Sequence, residues 1–330
     1  MRVLVTGASG FLGSRVVCDL VEAGHEVRAF VRAAHPSRLE GLPSPVEIRR
    51  GDLRDREDIE RAADGVDAVV HAGARVTTRG PWEEFERTNV GSTRTFVELA
   101  EAGRIGLLVH VSSLGVVALR AGGDVVTEEN PLEDPAADRG GYTRSKLLAD
   151  RLAVEAARRG VPVSVVRPGI LYGPGRPPPL GRWSLGVRGT RVVFGTRRYL
   201  LPLSFVDNVA RGIRLVLECP GARGKIYHLV DPQVPLVDYL ELRREVSGER
   251  FRVRFLRPGF VVPFVRVAEF PFRVLSRRPP VSAHALERAS RSAVYDCRRA
   301  VRELGWSPET SLREGLRLSF RPVEVRASSP

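Results

Sequence analysis

Three glycines near the start of the chain constrain its fold more than any other feature. The stretch VLVTGASGFLGSRV has Gly7, Gly10 and Gly13 directly after a β-branched run and at the start of a helical pattern. Glycines at this spacing allow a tight turn and a close approach of the backbone to a pyrophosphate, while the helix N-terminus supplies free N–H groups. The sequence therefore predicts a strand, a phosphate-binding turn and a helix. A glycine-rich turn that binds no ligand is the alternative.

Apolar runs that predict strands alternate with helical patterns as far as about residue 167. These runs cover residues 2–7, 26–31, 46–50, 67–72, 106–113 and 162–168. One more run, 225–231, follows after the alternation ends. Because strands joined through helices pair in parallel, we expect an α/β fold: a Rossmann doubly wound parallel sheet with a smaller, mostly helical C-terminal substrate-binding region. The expected NAD(P)-binding domain is 1–167, completed by about 204–231. The expected substrate-binding region is 168–203 with 232–330.

Charge and composition narrow the classes of partner. The 330-residue chain has a net charge of +13, but its arginines are scattered and no nucleic-acid motif occurs, so we expect no nucleic-acid partner. An apolar run of roughly 18 residues and a signal peptide are both lacking, which favours a cytoplasmic protein without a membrane span. The three cysteines are far apart, and no metal site is expected. Residues 260–275 could touch a membrane or an apolar substrate, although a packed amphipathic helix is favoured.

The end of the second predicted strand indicates which dinucleotide is bound. NAD sites place an acidic residue there to bind the ribose, whereas this chain has Val31 and Arg32 and no acid before Glu40. Since an arginine can bind the 2′-phosphate, we expect NADP, with NAD as the alternative. Asp52, after the third strand, can accept a hydrogen bond from the adenine amino group. Its alternative role is that of a helix N-cap.

A tyrosine and a rare lysine predict the chemistry. Lys146, one of two lysines in an arginine-rich chain, stands four residues after Tyr142, so the two share one face of a helix. Ser112 and Ser113 end the preceding strand, at the edge where ligands bind in open α/β sheets. Hydride transfer at a carbonyl carbon requires a proton at its oxygen. A tyrosine beside an ammonium group can supply it, because the cation lowers the phenol pKa.

The chain resembles the extended short-chain dehydrogenase/reductases of the NAD(P)-dependent epimerase/dehydratase superfamily over nearly its whole length. The motifs that carry the resemblance are TGASGFLG (6–13), GDL (51–53), VVHAGA (69–74), TNVGST (88–93), VHVSSLGV (109–116), YTRSK (142–146), VRPGILYGPG (166–175) and SFVDNVA (204–210). Residues 27–34 and 291–316 make it most similar to the dihydroflavonol-reductase and 3β-hydroxysteroid-dehydrogenase-like branch. A homodimer is compatible with this fold.

The resemblance implies a role for each matching residue. It makes Tyr142 the acid/base, Lys146 its partner, Ser113 the donor to the substrate oxygen and Asn89 a residue that lines the site. His71 matches no catalytic role and is expected to pack beside the cofactor. The residues expected to bind the cofactor are Gly7, Ser9, Gly10, Phe11, Leu12, Gly13, Arg32, Asp52, Leu53, Ala72, Gly73, Ala74, Tyr142, Lys146, Pro168 and Ile170.

The predicted function is NADP-dependent interconversion of a ketone and a secondary alcohol on a small apolar substrate, such as a steroid, an aryl ketone or a ketoacyl compound. Leu114 and Gly115 stand where the sugar dehydratases of the family carry Asp-Glu, so elimination of water lacks its acid and base. Residues 173–200 and 255–290 are expected to shape the substrate site. A nucleotide-sugar epimerase with tightly bound NAD and a non-catalytic dinucleotide-sensing protein are the alternatives.

Overall fold

A seven-stranded parallel sheet with helices on both faces forms the centre of the protein. The computed structural model describes residues 1–32, 45–77, 80–119, 125–134, 140–180, 184–187, 189–194, 196–274 and 291–321.

The strands in this part of the chain are β1 (Arg2–Thr6), β2 (Glu26–Val31), β3 (Glu47–Arg50), β4 (Ala68–His71), β5 (Leu107–Val111), β6 (Val125–Val126), β7 (Val163–Pro168), β8 (Ile170–Tyr172), β9 (Ser184–Val187), β10 (Thr190–Phe194), β11 (Leu200–Leu201), β12 (Leu203–Phe205), β13 (Ile226–Leu229), β14 (Val234–Pro235), β15 (Arg252–Leu256) and β16 (Val294–Tyr295). The α-helices are α1 (Phe11–Glu22), α2 (Arg56–Ala63), α3 (Trp82–Phe85), α4 (Ser92–Glu101), α5 (Gly140–Arg158), α6 (Val206–Glu218), α7 (Leu236–Ser247), α8 (Pro258–Val274), α9 (Arg298–Leu304) and α10 (Leu312–Phe320).

The order of strands in the large sheet confirms the predicted fold class. It is β13-β7-β5-β4-β1-β2-β3, and every neighbouring pair is parallel. The chain order reverses between β1 and β4, and in such sheets ligands bind beyond the carboxyl ends of the strands at this switch point. Each strand of this sheet lies in a predicted run and ends within two residues of the predicted limits.

Helices bury both faces of the sheet, which is why its central strands are continuous apolar runs. Every residue of β5 and β7 is buried. Helices α1 and α6 pack against one face, where Val16 and Ile213 join the same cluster as Val5. Ile59 of α2 and Phe96 of α4 cover the other face. A parallel sheet covered on both sides has no polar face, so no alternation of polar and apolar residues is expected in its strands.

The chain after residue 168 contains the predicted helices and a sheet that was not predicted. Strands β9, β10 and β15 form a three-stranded sheet beside α7 and α10. Helix α8 confirms a helix within 260–275, but Phe260 and Phe264 are exposed, so the expectation that this helix packs its apolar residues is wrong for that face. Residues 181–183, 188, 195 and 275–290, in the segments expected to shape the substrate site, lie outside the described residues. The domain limits stay a prediction.

A buried ion pair fixes α5 against the sheet. The Arg167 guanidinium on β7 donates from Nε and Nη2 to the two carboxylate oxygens of Asp150 on α5, over 2.9 and 2.7 Å. The Asp150 side chain is fully buried and the Arg167 side chain is 2% exposed. Two parallel bonds between planar groups fix both distance and angle. The pair therefore sets where α5 lies along β7.

A chain of hydrogen bonds crosses the sheet at the ends of β1 and β4. His71 Nδ1 lies 2.8 Å from the Thr6 hydroxyl, and its Nε2 lies 3.0 Å from the Ser92 hydroxyl. The Ser92 hydroxyl donates to the Thr88 carbonyl, so it accepts from His71 Nε2. His71 Nδ1 then accepts from Thr6. Burial lowers the His71 pKa to about 3, with the Lys146 charge adding to the effect. A neutral His71 ring with its proton on Nε2 therefore gives both ring nitrogens and both hydroxyl groups a hydrogen-bond partner.

No helix within the described part of the chain is both long and apolar enough to cross a bilayer.

The Asp150–Arg167 pair yields a stability prediction. We expect Asp150→Asn to lower the free energy of unfolding by about 3–5 kcal/mol, because it leaves the Arg167 charge buried without its partner. Urea unfolding measures the change. The control is Glu245→Gln, which removes one partner of the exposed Glu245–Arg313 pair and should leave the urea midpoint unchanged. Equal effects from the two substitutions would contradict the role given to the buried pair.

Two neighbouring histidines offer a matched comparison. We expect His71→Leu to cost about 1–3 kcal/mol of unfolding free energy, since the buried Thr6 hydroxyl loses its acceptor. His110, paired with His71 on the adjacent strand, is equally buried, but its ring nitrogens have no hydrogen-bond partner among the described residues. His110→Leu should therefore leave stability unchanged or raise it. The same urea assay decides, and the opposite ranking of the two variants would refute the hydrogen-bonded chain.

Candidate active site

The turn after β1 has the geometry that a pyrophosphate requires. Gly7 adopts φ 66°, in the left-handed region, and its carbonyl accepts a hydrogen bond of 2.8 Å from the Gly10 N–H. A Cβ atom at Gly13 would collide with the Gly7 carbonyl. Gly10 is the N-cap of α1 and has no side chain to occupy the free N–H groups. The turn therefore leaves these donors open to an anion, and a dinucleotide fits this cradle.

A second close approach brings the motif after β4 against the same turn. A Cβ atom at Gly7 would lie 2.7 Å from the Gly73 Cα, and one at Gly73 would lie 2.6 Å from Leu53 Cδ1. The Gly73 N–H donates to the Thr6 hydroxyl over 3.0 Å, which joins Gly73 to the His71 chain of hydrogen bonds. Predicted cofactor residues from three separate segments therefore lie together at the carboxyl edge of the sheet. Ala72 and Ala74 flank this contact.

Arg32 and Asp52 follow β2 and β3 at the same edge. Arg32 is exposed. The Asp52 carboxylate accepts hydrogen bonds from Arg54, which lower its pKa, and the Arg32 charge contributes to the same shift. The alternative role of Asp52 as the N-cap of α2 is wrong. Asp55 is the N-cap, because its carboxylate accepts from the backbone N–H groups of the first helical turn.

Lys146 joins α5 to the end of β5, directly before the two serines. Its Nζ donates to the Val111 carbonyl over 2.6 Å, and Val111 is the last residue of β5. Burial lowers the Lys146 pKa to about 8, and the Asp150 carboxylate acts in the opposite direction. The ammonium is therefore mostly charged at neutral pH. Tyr142 lies one turn earlier on the same helix and is partly exposed.

The two serines after β5 have different surroundings. Ser112 is 5% exposed, and its hydroxyl has no hydrogen-bond partner among the described residues. Ser113 is partly exposed, and its oxygen accepts from the Gly115 N–H over 3.1 Å, at the start of a short 3-10 helix. This bond uses an acceptor site of Ser113 and leaves its hydroxyl proton for another acceptor. The geometry favours Ser113 over Ser112 as a donor to a ligand.

Asn89 connects the cofactor edge with α5. Its Oδ1 accepts from the Arg75 N–H over 2.7 Å, and its Nδ2 donates to the Arg75 carbonyl and the Ser145 hydroxyl. The Ser145 hydroxyl in turn donates to the Tyr142 carbonyl over 2.8 Å. Asn89 lies in a π-helical turn, Glu86–Gly91, between α3 and α4. These contacts favour a positioning role for Asn89 toward the start of α5.

The remaining predicted cofactor residues surround the same edge. Pro168 is buried at the end of β7, and the Ile170 N–H donates to the Pro202 carbonyl over 2.7 Å. Phe11 lies under the Arg176 guanidinium, 4.9 Å from ring centroid to Cζ. Leu12 belongs to the apolar core, so its side chain faces away from the cradle. Ser9, in the turn itself, is partly exposed.

Asp150, Arg167 and Ser145 support the site but do not stand out in the sequence. Asp150 follows Lys146 by four residues and therefore lies on the same helix face. The available signal was an acidic residue on the helix face that packs against the sheet, since a carboxylate buried there needs a cation as its partner. The sequence does not identify Arg167 as that cation among fifty arginines.

Comparisons with known sequences agree with this arrangement. A 4-hydroxy-2-methyl-3-oxo-4-farnesyl-3,4-dihydroquinoline-1-oxide ketoreductase from Stigmatella aurantiaca is 31% identical over 321 residues, which cover 96% of this chain and 95% of the relative. A 3 beta-hydroxysteroid dehydrogenase/Delta 5-->4-isomerase from Mycobacterium tuberculosis is 28% identical over 336 residues, which cover 96% of this chain and 88% of the relative. The predicted branch and the enzyme class, an NAD(P)-dependent oxidoreductase of hydroxyl and keto groups, are confirmed.

Solved structures show the same fold. The crystal structure of gox2253 superposes with a TM-score of 0.81 at 27% identity and covers 96% of both chains. A UDP-glucuronic acid 4-epimerase from Bacillus cereus in complex with NAD gives a TM-score of 0.71 at 19% identity over 97% of both chains, a likeness of fold alone. The model of the NAD dependent epimerase/dehydratase family matches residues 3–229. The chain belongs to this family.

Proposed function

We propose that the protein is an NADP-dependent oxidoreductase that interconverts a ketone and a secondary alcohol on a small apolar substrate. The observation that carries the proposal is the 2.6 Å bond from Lys146 Nζ to the Val111 carbonyl. It holds an ammonium group at the junction of the helix that bears Tyr142 and the strand end that leads to Ser113. An alcohol dehydrogenation needs a proton acceptor, a cation beside it and a donor to the substrate oxygen, and these three residues supply them.

The dinucleotide would be held at the carboxyl edge of the sheet. Gly7, Gly10 and the N-terminus of α1 would bind its pyrophosphate, and Leu53 with Gly73 would lie against its adenosine half. Arg32 would bind a 2′-phosphate through a charge-assisted hydrogen bond. When bound, the nicotinamide supplies or accepts the hydride. Pro168 and Ile170 would lie near it.

The proton steps belong to side chains of this protein. In the direction of reduction, the Tyr142 hydroxyl gives its proton to the substrate oxygen, and the Ser113 hydroxyl donates a hydrogen bond to the same atom. Lys146 stabilises the resulting phenolate by its charge. Its amino group is compact enough to be buried while bonded to a carbonyl, whereas the larger planar fork of an arginine would need more space.

The apolar class of the proposed substrate rests on the side chains near the end of β7 and on the relatives. Ile170 and Leu171 are partly exposed beyond the end of β7 and offer apolar contacts. Val116 and Val117, which follow the two serines, are buried in a cluster with Leu147 and offer no such contact. The relatives whose names include a farnesylated ketone and a steroid support an apolar ketone rather than a nucleotide sugar.

The epimerase alternative differs in its cofactor. An epimerase returns the hydride to the same substrate, so its NAD should stay bound through purification. The fold it shares with this chain does not decide function.

Substitutions at Tyr142 and Lys146 test the chemistry. We expect Tyr142→Phe to keep NADPH binding and to lower kcat by about 10²–10⁴-fold, since the proton donor is lost. Lys146→Arg keeps the charge but should also impair kcat. The assay is NADPH oxidation with steroid, aryl and β-ketoacyl ketones, and NADPH affinity is measured separately by fluorescence.

The control is Tyr227→Phe on the edge strand β13, where the hydroxyl bonds to Glu303. Unchanged turnover in Tyr142→Phe would remove Tyr142 from the mechanism. Absence of turnover with every ketone would favour the sensing protein.

Substitution of Arg32 tests the choice of cofactor. We expect Arg32→Gln to weaken NADPH binding by about 10–100-fold, the range for a lost hydrogen bond to a charged group, and to leave NADH binding unchanged. Titration of both cofactors measures the ratio. Cofactor released from the purified protein by denaturation is identified in parallel. Stoichiometric NAD in that sample would contradict the proposal and support the epimerase.

A further inference from the structure

Helix α8 has two apolar faces, and the protein covers one of them. Val262 is 8% exposed, and Val261 and Val265 pack beside it on the inner side of the helix. A surface helix of a globular protein ordinarily places polar residues on its other side. Helix α8 does not follow this pattern.

The outer face of α8 exposes large apolar side chains to solvent. Phe260, Phe264 and Val267 are 71%, 77% and 75% exposed. Their spacing of four and three residues places them within about 60° of one another around the helix axis. Leu256, just before the helix, is 43% exposed. Single exposed apolar residues are ordinary, but a continuous stripe with two phenylalanines marks an interaction surface.

Exposed arginines directly precede this stripe along the chain. The side chains of Arg252 and Arg254 on β15 are exposed, as is Arg257 between β15 and α8, whose carbonyl accepts from the Phe260 N–H over 3.1 Å. Over residues 250–269, the ionisable residues that the structure describes as exposed are all arginines, and Glu269 is 6% exposed. Self-association through this face would bring like charges together, which is unfavourable. The charge is complementary to an anionic surface.

We propose that the outer face of α8, with the arginines of β15, docks onto an anionic lipid bilayer. We define this α8 patch by Leu256, Phe260, Phe264 and Val267 together with Arg252, Arg254 and Arg257. The phenylalanines enter the boundary between headgroups and acyl chains while the helix lies in the plane of the interface, and the guanidinium groups bind lipid phosphates. The inference rests on the exposed face of α8 and does not depend on the proposed reaction.

Vesicle co-sedimentation of the full chain tests this inference. The probes are phosphatidylcholine vesicles with and without phosphatidylglycerol, at about 0.15 M and about 1 M salt. We expect binding to the anionic vesicles at the lower salt concentration, little binding to phosphatidylcholine alone, and marked weakening at the higher salt concentration. Failure to bind anionic vesicles at low salt would overturn the proposal and leave a protein partner for the patch.

Variants separate this insertion from general attraction of a basic protein to anionic lipid. Phe260→Ser with Phe264→Ser should reduce partitioning at least about tenfold, because apolar contact is lost. Arg254→Gln with Arg257→Gln should reduce it at least about fivefold, the contribution of one arginine near such a surface. The matched controls, Val301→Ser for apolar exposure and Arg158→Gln with Arg223→Gln for charge, lie outside the patch and should bind like the parent.

Two results would contradict the proposal even if the parent chain binds vesicles. Equal weakening by the arginine controls and the patch arginines would indicate diffuse electrostatic adsorption. A dimer in analytical ultracentrifugation that the double serine variant abolishes would assign the patch to a second copy of the chain. Phe264→Trp adds a readout that needs no loss of binding: its emission, taken as the difference from that of the parent with its three tryptophans, should shift to shorter wavelength on phosphatidylglycerol vesicles. An unshifted emission would also count against insertion.

Discussion

The bidentate contact between Asp150 and Arg167 is the interaction on which the rest of the site depends. It joins α5 to the buried strand β7 with both charges out of water. The turn of helix that precedes Asp150 carries Lys146, whose bond to the end of β5 is short and equally buried. With α5 fixed at two successive turns, helix geometry also fixes where Tyr142 lies, one turn before Lys146.

Burial gives Lys146 a lower pKa than an exposed lysine has. An ammonium group removed from water loses hydration, which lowers its pKa, and the neighbouring carboxylate compensates only in part. Asp150 therefore has two effects, since it binds Arg167 directly and favours the charged form of Lys146 through space. Burial also keeps His71 and His110 neutral, so neither histidine adds a second positive charge beside the Lys146 ammonium group.

Local patterns predicted most of the fold and the stretches of the chain that contribute residues to the site. The glycine turn, the buried strands and the Tyr142–Lys146 spacing each depend on residues close in sequence, and periodicity identifies such features. The Asp150–Arg167 partnership and the sheet of β9, β10 and β15 depend on residues far apart, which no local pattern links. Strand β15 alternates arginines with Val253 and Phe255, as a half-buried strand does, but no local pattern identifies β10 as its partner. Asp52 and Asp55 are equally good caps by type, and only backbone geometry separates them.

The π-helical turn at Glu86–Gly91 has a consequence for how this part of the chain tolerates insertions and deletions. A π turn holds one residue more than an α turn. It therefore rotates the side chains that precede it by about 100° around the helix axis relative to those of α4. With that phase, Asn89 faces α5 and Ser92 faces His71. Deleting a single residue there would restore a regular helix and turn one of the two side chains away. Length changes should therefore accumulate in the connection before α3 and not within the turn itself.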